Sequence, residues 1–302
     1  MNEAPLATIV GSNTGLFSPQ GVAVDASGLI YAVNDSPIGA SPPSVTVYGA
    51  NPSGTLNEAP LGTITGANTG LGNPNGIAVD SSGNIYVANA NLFTTVGHAS
   101  TVTVYPANPR GTLNEAPIAT ITEPFQDITD ADGAADKGVA LDACGNVYVT
   151  DYTNSGDFVS VYAANPRGAV SGPPLATMTV NYPVLFGPVV SAVAVDPNGL
   201  IYAALGIDAD DGAISVYPAN PSGTFAGTPV GTIAGSSTGL GALPFVAVDP
   251  AGPIYSTSFE GTVINAITVY AANPRGTLNE APIGTITGSN TGLGFPSGIA
   301  VH

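Results

Sequence analysis

Residues 74–89 read Pro-Asn-Gly-Ile-Ala-Val-Asp-Ser-Ser-Gly-Asn-Ile-Tyr-Val-Ala-Asn, and this stretch decides the fold class. Two apolar, β-branched runs flank a short Asp-Ser-Ser-Gly segment. Asp can hydrogen-bond the turn backbone and Gly accepts a positive φ, so the segment predicts the corner of a β-hairpin. The same Asp-to-Gly turn recurs at residues 25–28, 142–145, 196–199 and 249–252. We expect the Asp of each copy to be a turn residue rather than a metal ligand.

The hairpin belongs to a repeat that occupies nearly the whole chain. The segment Asn-Glu-Ala-Pro begins at residues 2, 57, 114 and 279, and degenerate copies begin at 171 and 226. Each unit carries four strand signals, which fall at 7–10, 21–25, 29–33 and 44–48 in the first unit. No window shows a sustained helical period, so helix should be almost absent. A repeated set of four antiparallel strands predicts an all-β fold built from propeller blades.

The stretch 74–89 also resembles the NHL repeat of β-propellers, which reads as Pro, Gly-Ile-Ala-Val-Asp, a short Gly turn and Ile-Tyr-Val-Ala-Asp. The match recurs in five units and so covers nearly the whole chain. The resemblance implies that the Gly-Val-Ala-Val-Asp strand is innermost and that the Thr-Ile-Thr strand closes the outer edge of each blade. The chain departs from the NHL pattern in a longer connection before the outer strand, such as residues 49–60.

Counting strands predicts how the chain is organised. We expect one propeller domain over residues 1–302, with four-stranded antiparallel blades at about 21–66, 76–122, 138–180, 192–235 and 245–288. The terminal strands, 5–11 and 298–302, have no middle strands of their own, so five blades are complete and a sixth is partial. The unpaired edge of a strand carries free backbone donors and acceptors, with which a strand of another chain can pair. We expect self-association by strand donation, or a segment of a longer array; a five-bladed monomer with loosely packed tails is the alternative.

Composition excludes several classes of protein. The chain contains 39 Gly and 27 Pro but is 44 % hydrophobic, which fits an ordered, turn-rich β protein. Four Lys or Arg against 21 Asp or Glu give a net charge of −17, which disfavours nucleic acid and anionic membranes as partners. No apolar run is long enough for membrane insertion, and no signal peptide is visible in this chain. The abundance of small polar residues and scarcity of Lys resemble secreted or cell-surface bacterial proteins, so we expect an extracellular location.

Several recurring residues have structural interpretations. The tyrosines that fall in phase are expected to pack in the core and turns rather than to stack on a ligand: Tyr31, Tyr48, Tyr86, Tyr105, Tyr148, Tyr162, Tyr202, Tyr217, Tyr255 and Tyr270. The Pro-Arg-Gly arginines, Arg110, Arg167 and Arg275, are expected to be rim charges. Cys144, the only cysteine, is expected to be a small turn residue.

Candidate chemistry is confined to two acidic segments that break the repeat. Alternating Asp and Gly resemble the start of a calcium loop, although the full twelve-residue pattern is missing. The candidate calcium ligands are Asp130, Asp132 and Asp136 in one segment and Asp208, Asp210 and Asp211 in the other. A solvated acidic loop is the alternative. The two histidines, His98 and His302, lack the spacing of a metal pair or a hydrolytic triad.

The sequence therefore favours a non-catalytic extracellular propeller that serves as a structural or binding scaffold. Near-uniform units support this interpretation, because an active site requires unlike residues on one rim. The alternative is a propeller lyase or lactonase with a metal-dependent site at the channel mouth. The streptogramin lyases and gluconolactonase-type hydrolases have similar propellers, but their catalytic histidines and carboxylates have no counterparts that can be assigned in this chain. No catalytic residue is therefore assigned.

Overall fold

The computed structural model describes residues 1–35, 41–90, 100–123, 138–153, 156–180, 189–206, 212–219, 221–242, 244–258 and 265–302. These residues form short β-strands and no helix. Nothing in the described ranges could therefore cross a membrane as an apolar helix. The fold is a five-bladed β-propeller, as the repeat predicts.

The chain divides into two compact units. The N-terminal unit comprises Pro5–Val139, Asn165–Pro173 and His302, and the C-terminal unit comprises Met1–Ala4, Ala140–Ala164 and Pro174–Val301. Each unit is described by itself below.

The N-terminal unit contains the first two blades. In blade 1 the antiparallel order is β2-β3-β4-β6, and in blade 2 it is β7-β8-β9-β11. The bounds in blade 1 are β2 Pro19–Val24, β3 Ile30–Asn34, β4 Ser44–Tyr48 and β6 Gly62–Thr65. The bounds in blade 2 are β7 Pro74–Val79, β8 Ile85–Asn89, β9 Thr101–Tyr105 and β11 Ala119–Thr122. Four more short strands belong to this unit. Strand β1, Ala7–Ile9, precedes blade 1, and the other three lie in the connections: β5 Gly54–Leu56, β10 Gly111–Leu113 and β15 Gly168–Val170.

The C-terminal unit contains three more blades, in the orders β12-β13-β14-β16, β17-β18-β19-β21 and β22-β23-β24-β26. Blade 3 has β12 Val139–Leu141, β13 Val147–Thr153, β14 Gly156–Tyr162 and β16 Ala176–Val180. Blade 4 has β17 Val189–Val195, β18 Ile201–Gly206, β19 Ala213–Tyr217 and β21 Gly231–Ala234. Blade 5 has β22 Val246–Val248, β23 Ile254–Ser258, β24 Ala266–Tyr270 and β26 Gly284–Ile286, and the connections supply β20 Gly223–Ala226 and β25 Gly276–Leu278.

The long connections change the outer edge that the NHL resemblance implies. In blades 1 to 4 the Thr-Ile-Thr type strand is not outermost, because a Gly-Thr-Leu type segment pairs with it in parallel. In blade 1, for example, Thr112 of β10 pairs with Thr63 of β6. Three residues are too few to give a readable alternation, so the sequence pattern predicts a loop there.

The core lies between neighbouring blades of each unit. Tyr31 and Val33 of β3 pack with Ile64 of blade 1 and with Ile77 and Val87 of blade 2. In the C-terminal unit, similar apolar clusters form where blade 3 meets blade 4 and where blade 4 meets blade 5. Strand alternation explains this pattern, since alternate residues of each blade face each neighbour.

No strand is assigned at residues 298–302, which the sequence pattern predicts as a last inner strand. Inner strands β2, β7, β17 and β22 each pair with the strand that follows them in the chain. These partners, β3, β8, β18 and β23, come from the third strand signal of the repeat and are called third-type strands below. No described third-type strand pairs with residues 298–302, so this segment lacks the neighbour that the other inner strands have.

Candidate functional site

The repeated Asp residues are turn residues, as predicted. In the first copy, Asp25 Oδ1 accepts hydrogen bonds from the amides of Ser27 (2.8 Å) and Leu29 (3.0 Å), and Tyr31 donates its hydroxyl to Oδ2 (2.9 Å). Burial raises the pKa of Asp25, but these hydrogen bonds and that from the Ser27 hydroxyl lower it more, so the net shift is downward. The turn bonds recur at Asp80, Asp142, Asp196 and Asp249. These carboxylates are thus committed to the backbone.

The phased tyrosines also have structural roles. All except Tyr255 are buried. Tyr48, Tyr105 and Tyr270 donate their hydroxyls to the carbonyl oxygens of Thr14, Thr69 and Thr238, at 2.8, 2.7 and 2.8 Å. Burial and the nearby Asp80 carboxylate raise the pKa of Tyr86 to about 12. The nine buried tyrosines are therefore packed in the core, as the sequence predicts.

The other residues that were singled out are either exposed or undescribed. Arg110, Arg167 and Arg275 are exposed, as expected for rim charges. Cys144 is exposed and its amide donates to Asp142 in the turn. The candidate calcium ligands Asp130, Asp132, Asp136, Asp208, Asp210 and Asp211 lie outside the described residues, as does His98. Within the described ranges, no group of three or more His, Cys, Asp or Glu side chains is placed to hold a metal ion.

One position on the third strand differs from blade to blade. Asn34 Nδ2 donates to the hydroxyls of Ser44 and Thr46, both at 3.2 Å, and its Oδ1 accepts the Phe17 amide at 3.0 Å. Asn89 makes the matching bonds in blade 2, to Thr103 and from Gly72. The equivalent residues in blades 3, 4 and 5 are Asp151, Leu205 and Ser258, all buried. This position thus breaks the symmetry of the repeat.

Blade 3 also carries an unusual buried carboxyl group. Asp157 is only 3 % exposed, and among the described residues neither of its carboxyl oxygens has a hydrogen-bond partner. It pairs with Val180 of β16 and shares a strand face with Val159. Burial, with a contribution from the Asp151 charge, raises the pKa of Asp157 to about 7. The sequence analysis did not single out either Asp, because a polar run at a hairpin end reads as a loop.

Two equivalent surface pockets are by-products of the repeat. One lies between Ile9, Tyr48 and the connection around Pro52, and the other lies between Ile233, Tyr270 and the connection around Pro274. Equivalent residues line both pockets. A pocket that recurs with the repeat does not mark a unique site.

The clearest departure from the repeat is the edge of β1. This strand pairs in parallel with β5, Thr8 opposite Thr55, and forms a two-stranded sheet. In every blade the matching outer strand pairs on its other edge with the strand from the fourth signal of the repeat, as β6 pairs with β4. These fourth-type strands are β4, β9, β14, β19 and β24. No described strand pairs with that edge of β1. Leu6, just before it, is 93 % exposed, whereas its counterparts Leu61, Leu175 and Ile283 are 42, 56 and 69 % exposed.

Part of the outer edge of β26 is bonded within the chain. The carbonyl oxygen of Met1 accepts the Thr287 amide at 3.0 Å, and Asn2 Oδ1 accepts the Asn290 amide at 2.9 Å. Leu56 and Asn57 make the matching bonds to Val10 and Asn13. Met1 and Asn2 therefore occupy part of the place that a connection segment takes beside the other blades.

Comparison with known proteins supports the fold. A family described as Beta-propeller repeat matches residues 61–88. Raptor from Chaetomium thermophilum is similar in structure with a TM-score of 0.56 and 13 % identity, over 92 % of this chain and 21 % of that chain. A protein from Lactobacillus plantarum gives 0.51 and 14 %, over 87 % and 70 % of the two chains.

A gluconolactonase from Xanthomonas campestris is a more distant neighbour, with a TM-score of 0.45 and 14 % identity over 80 % of this chain and 69 % of that chain. No curated protein sequence matches the chain significantly. The present chain spans only about a fifth of the length of Raptor. At these identities the structural likenesses show the fold alone. Residues 61–88 are thus similar to the β-propeller repeat family, and the fold is that of a β-propeller.

Proposed function

We propose that this protein is a non-catalytic scaffold that binds another polypeptide by strand addition at the open edge of β1. The observation that carries the proposal is the difference between β1 and the outer strands of the blades. All of these strands have the same type of sequence, but only β1 lacks an antiparallel neighbour in the described structure. An open edge presents backbone donors and acceptors that another strand can satisfy.

Exposed apolar side chains support an interaction at this place. Leu6 and Val10, which flank β1, are 93 % and 51 % exposed. Leu6 is more exposed than its counterparts Leu61, Leu175 and Ile283, whose outer strands are covered, so an added strand would remove part of its apolar surface from water.

We place this binding outside the cell, on the composition of the chain. Association with further copies remains a prediction for the β1 edge. At β26 the chain itself supplies Met1 and Asn2, which occupy part of that edge.

The scaffold proposal rests on described residues, and for that reason we prefer it to a lyase or lactonase. The acidic segments that would hold a metal for such an enzyme lie outside the described residues. The open edge, by contrast, is defined by pairing, exposure and sequence.

Panning a random peptide library against the protein tests the proposal. Leu6→Pro removes one backbone donor at the open edge, and Leu6→Ala keeps that donor but removes the apolar side chain. We expect to recover peptides whose binding is weakened by Leu6→Pro. Recovery of no peptide that depends on Leu6 would overturn the proposal.

A further inference from the structure

The five blades show which kind of strand covers an outer strand of this sequence. On that basis we infer that the β1 edge accepts an antiparallel strand with the pattern Val/Ile–Thr/Ser–Val from another polypeptide. The inference rests on the proposed function and adds the sequence, the direction and the register of the partner.

The register is the same in all five blades. In blade 1, Val47 lies opposite Gly62, Thr46 opposite Thr63 and Val45 opposite Ile64. In every blade a Val faces a Gly or Ala, a Thr or Ser faces a Thr, and a Val or Ile faces an Ile or Met. Five matching examples make this pairing a rule of the repeat.

Strand β1 carries the same three residues as the outer strands. Ala7, Thr8 and Ile9 match Ala119, Thr120 and Ile121 of β11 in order and type. The incoming strand should therefore place a Val opposite Ala7, a Thr or Ser opposite Thr8, and a Val or Ile opposite Ile9. A slip by one residue would move each incoming side chain to the other face.

One further backbone bond is shared by all five blades. The residue before each outer strand donates its amide to the carbonyl oxygen of the facing Val, as Leu61 does to Val47 at 2.7 Å. The matching donors are Ile118, Leu175, Val230 and Ile283, at 2.7–2.8 Å. Leu6 occupies this position for β1, so its amide should donate to the incoming Val.

A fourth-type strand of a folded second copy is not the source of this strand. The fourth-type strands β4, β9, β14, β19 and β24 are covered on both edges by strands of their own blades. Adding any of them to β1 would require a described blade to open. The pattern therefore comes from a polypeptide that presents it in an accessible segment.

A synthetic peptide with the sequence of residues 43–49, Pro-Ser-Val-Thr-Val-Tyr-Gly, tests the inference directly. Its binding to the whole protein is measured by fluorescence anisotropy. The control peptide, Pro-Ser-Thr-Val-Thr-Tyr-Gly, shifts the alternation by one residue. We expect the first peptide to bind about tenfold more tightly than the control, since the shift misplaces every apolar contact.

The protein variants add a second comparison. Leu6→Pro should weaken binding of the first peptide about tenfold, because it leaves the incoming Val carbonyl without a donor. Leu6→Ala keeps the amide and should have a smaller effect. In the unaltered protein, bound peptide should slow hydrogen exchange at the Leu6 amide and leave that of Val10, which already donates to Leu56, unchanged. This measurement does not depend on the folding of any variant.

Equal binding of the two peptides, or no protection of the Leu6 amide, would overturn the inference. If library peptides bind in a Leu6-dependent way and the 43–49 peptide does not, the proposed function stands and the inference fails. If neither kind of peptide binds, both fail.

Discussion

Strands β1 and β6 have nearly the same sequence but different surroundings. Ala7-Thr8-Ile9 and Gly62-Thr63-Ile64 both follow Ala-Pro-Leu, and both have a parallel Gly-Thr-Leu strand on one edge. Only β6 has β4 on the other edge, and Ile64 is accordingly 2 % exposed while Ile9 is partly exposed. The same residues thus form core in one place and, in the described structure, an open strand edge in the other.

Asp157 is the opposite case, because its position in the blade is the same as in the other blades but its residue type is different. Its counterpart in blade 2 is Ser100, a neutral residue that is fully buried and donates to the Ala90 carbonyl at 3.2 Å. No described residue donates a hydrogen bond to the Asp157 carboxyl group. The charged form of this group is therefore penalised by burial, and the protonated form is favoured. Comparing near-identical repeats therefore separates two effects. A missing neighbouring strand changes the exposure of a residue, and a changed residue type changes the hydrogen bonding and protonation at a buried position.

The largest effect is expected from pH acting on Asp157. Its folded-state pKa, raised to about 7 by burial and by Asp151, exceeds that of the unfolded chain. The folded state thus binds the proton more tightly, so the free energy of unfolding should fall as pH rises from about 4 to about 7. Asp157→Asn should remove this loss and stabilise the protein at pH 8, by an amount on the order of 4 kcal/mol at most.

Urea unfolding at pH 5 and pH 8 measures this change, and Asp25→Asn is the matched control. The pKa of Asp25 is lowered in the folded state, so its stabilisation is present above the unfolded pKa and is lost as pH falls. Asp25→Asn should therefore destabilise at pH 8, where Asp157→Asn stabilises. The same response from both variants would contradict the assigned environments.

The difference in burial between Ile64 of β6 and Ile9 of β1 can be tested by replacing each isoleucine with alanine. Ile64→Ala should cost about 3 kcal/mol, because it leaves a cavity in the packed interface of blades 1 and 2. Ile9→Ala should cost about 1 kcal/mol, since Ile9 already contacts water. Equal losses in chemical denaturation would mean that β1 is covered in solution.

The backbone contrast can be tested with a pair of proline variants. Leu6 and Leu61 both follow Pro, so the preceding residue is the same in each variant. Leu61→Pro should cost about 2 kcal/mol, because Val47 loses the amide that donates to its carbonyl oxygen. Leu6→Pro should leave the melting temperature nearly unchanged. A large drop for Leu6→Pro would show that its amide has a partner in the folded protein.

The sequence predicts what is local or repeated. The turn role of Asp25 and the burial of Tyr31 follow from residue type and spacing, and the structure confirms both. The parallel strand 54–56 is missed, because its partner comes from the unit before and three residues carry no alternation. The burial of Asp157 is missed for a related reason, since pairing with Val180 depends on residues distant in the chain.

The smallest expected effect concerns the segment that carries β1. Asn57 and Asn2 each accept a backbone amide, from Asn13 and from Asn290, both at 2.9 Å. In each case the Asn side chain fills the space where a Cβ would stand on a glycine at positive φ, Gly11 or Gly288. The contacts are alike, so Asn57→Ala and Asn2→Ala should each cost about 1 kcal/mol. Thermal unfolding of the two variants measures the comparison. A loss for Asn57→Ala without one for Asn2→Ala would mean that Met1 and Asn2 leave blade 5 in solution, and the outer edge of β26 would then be a second place for strand addition.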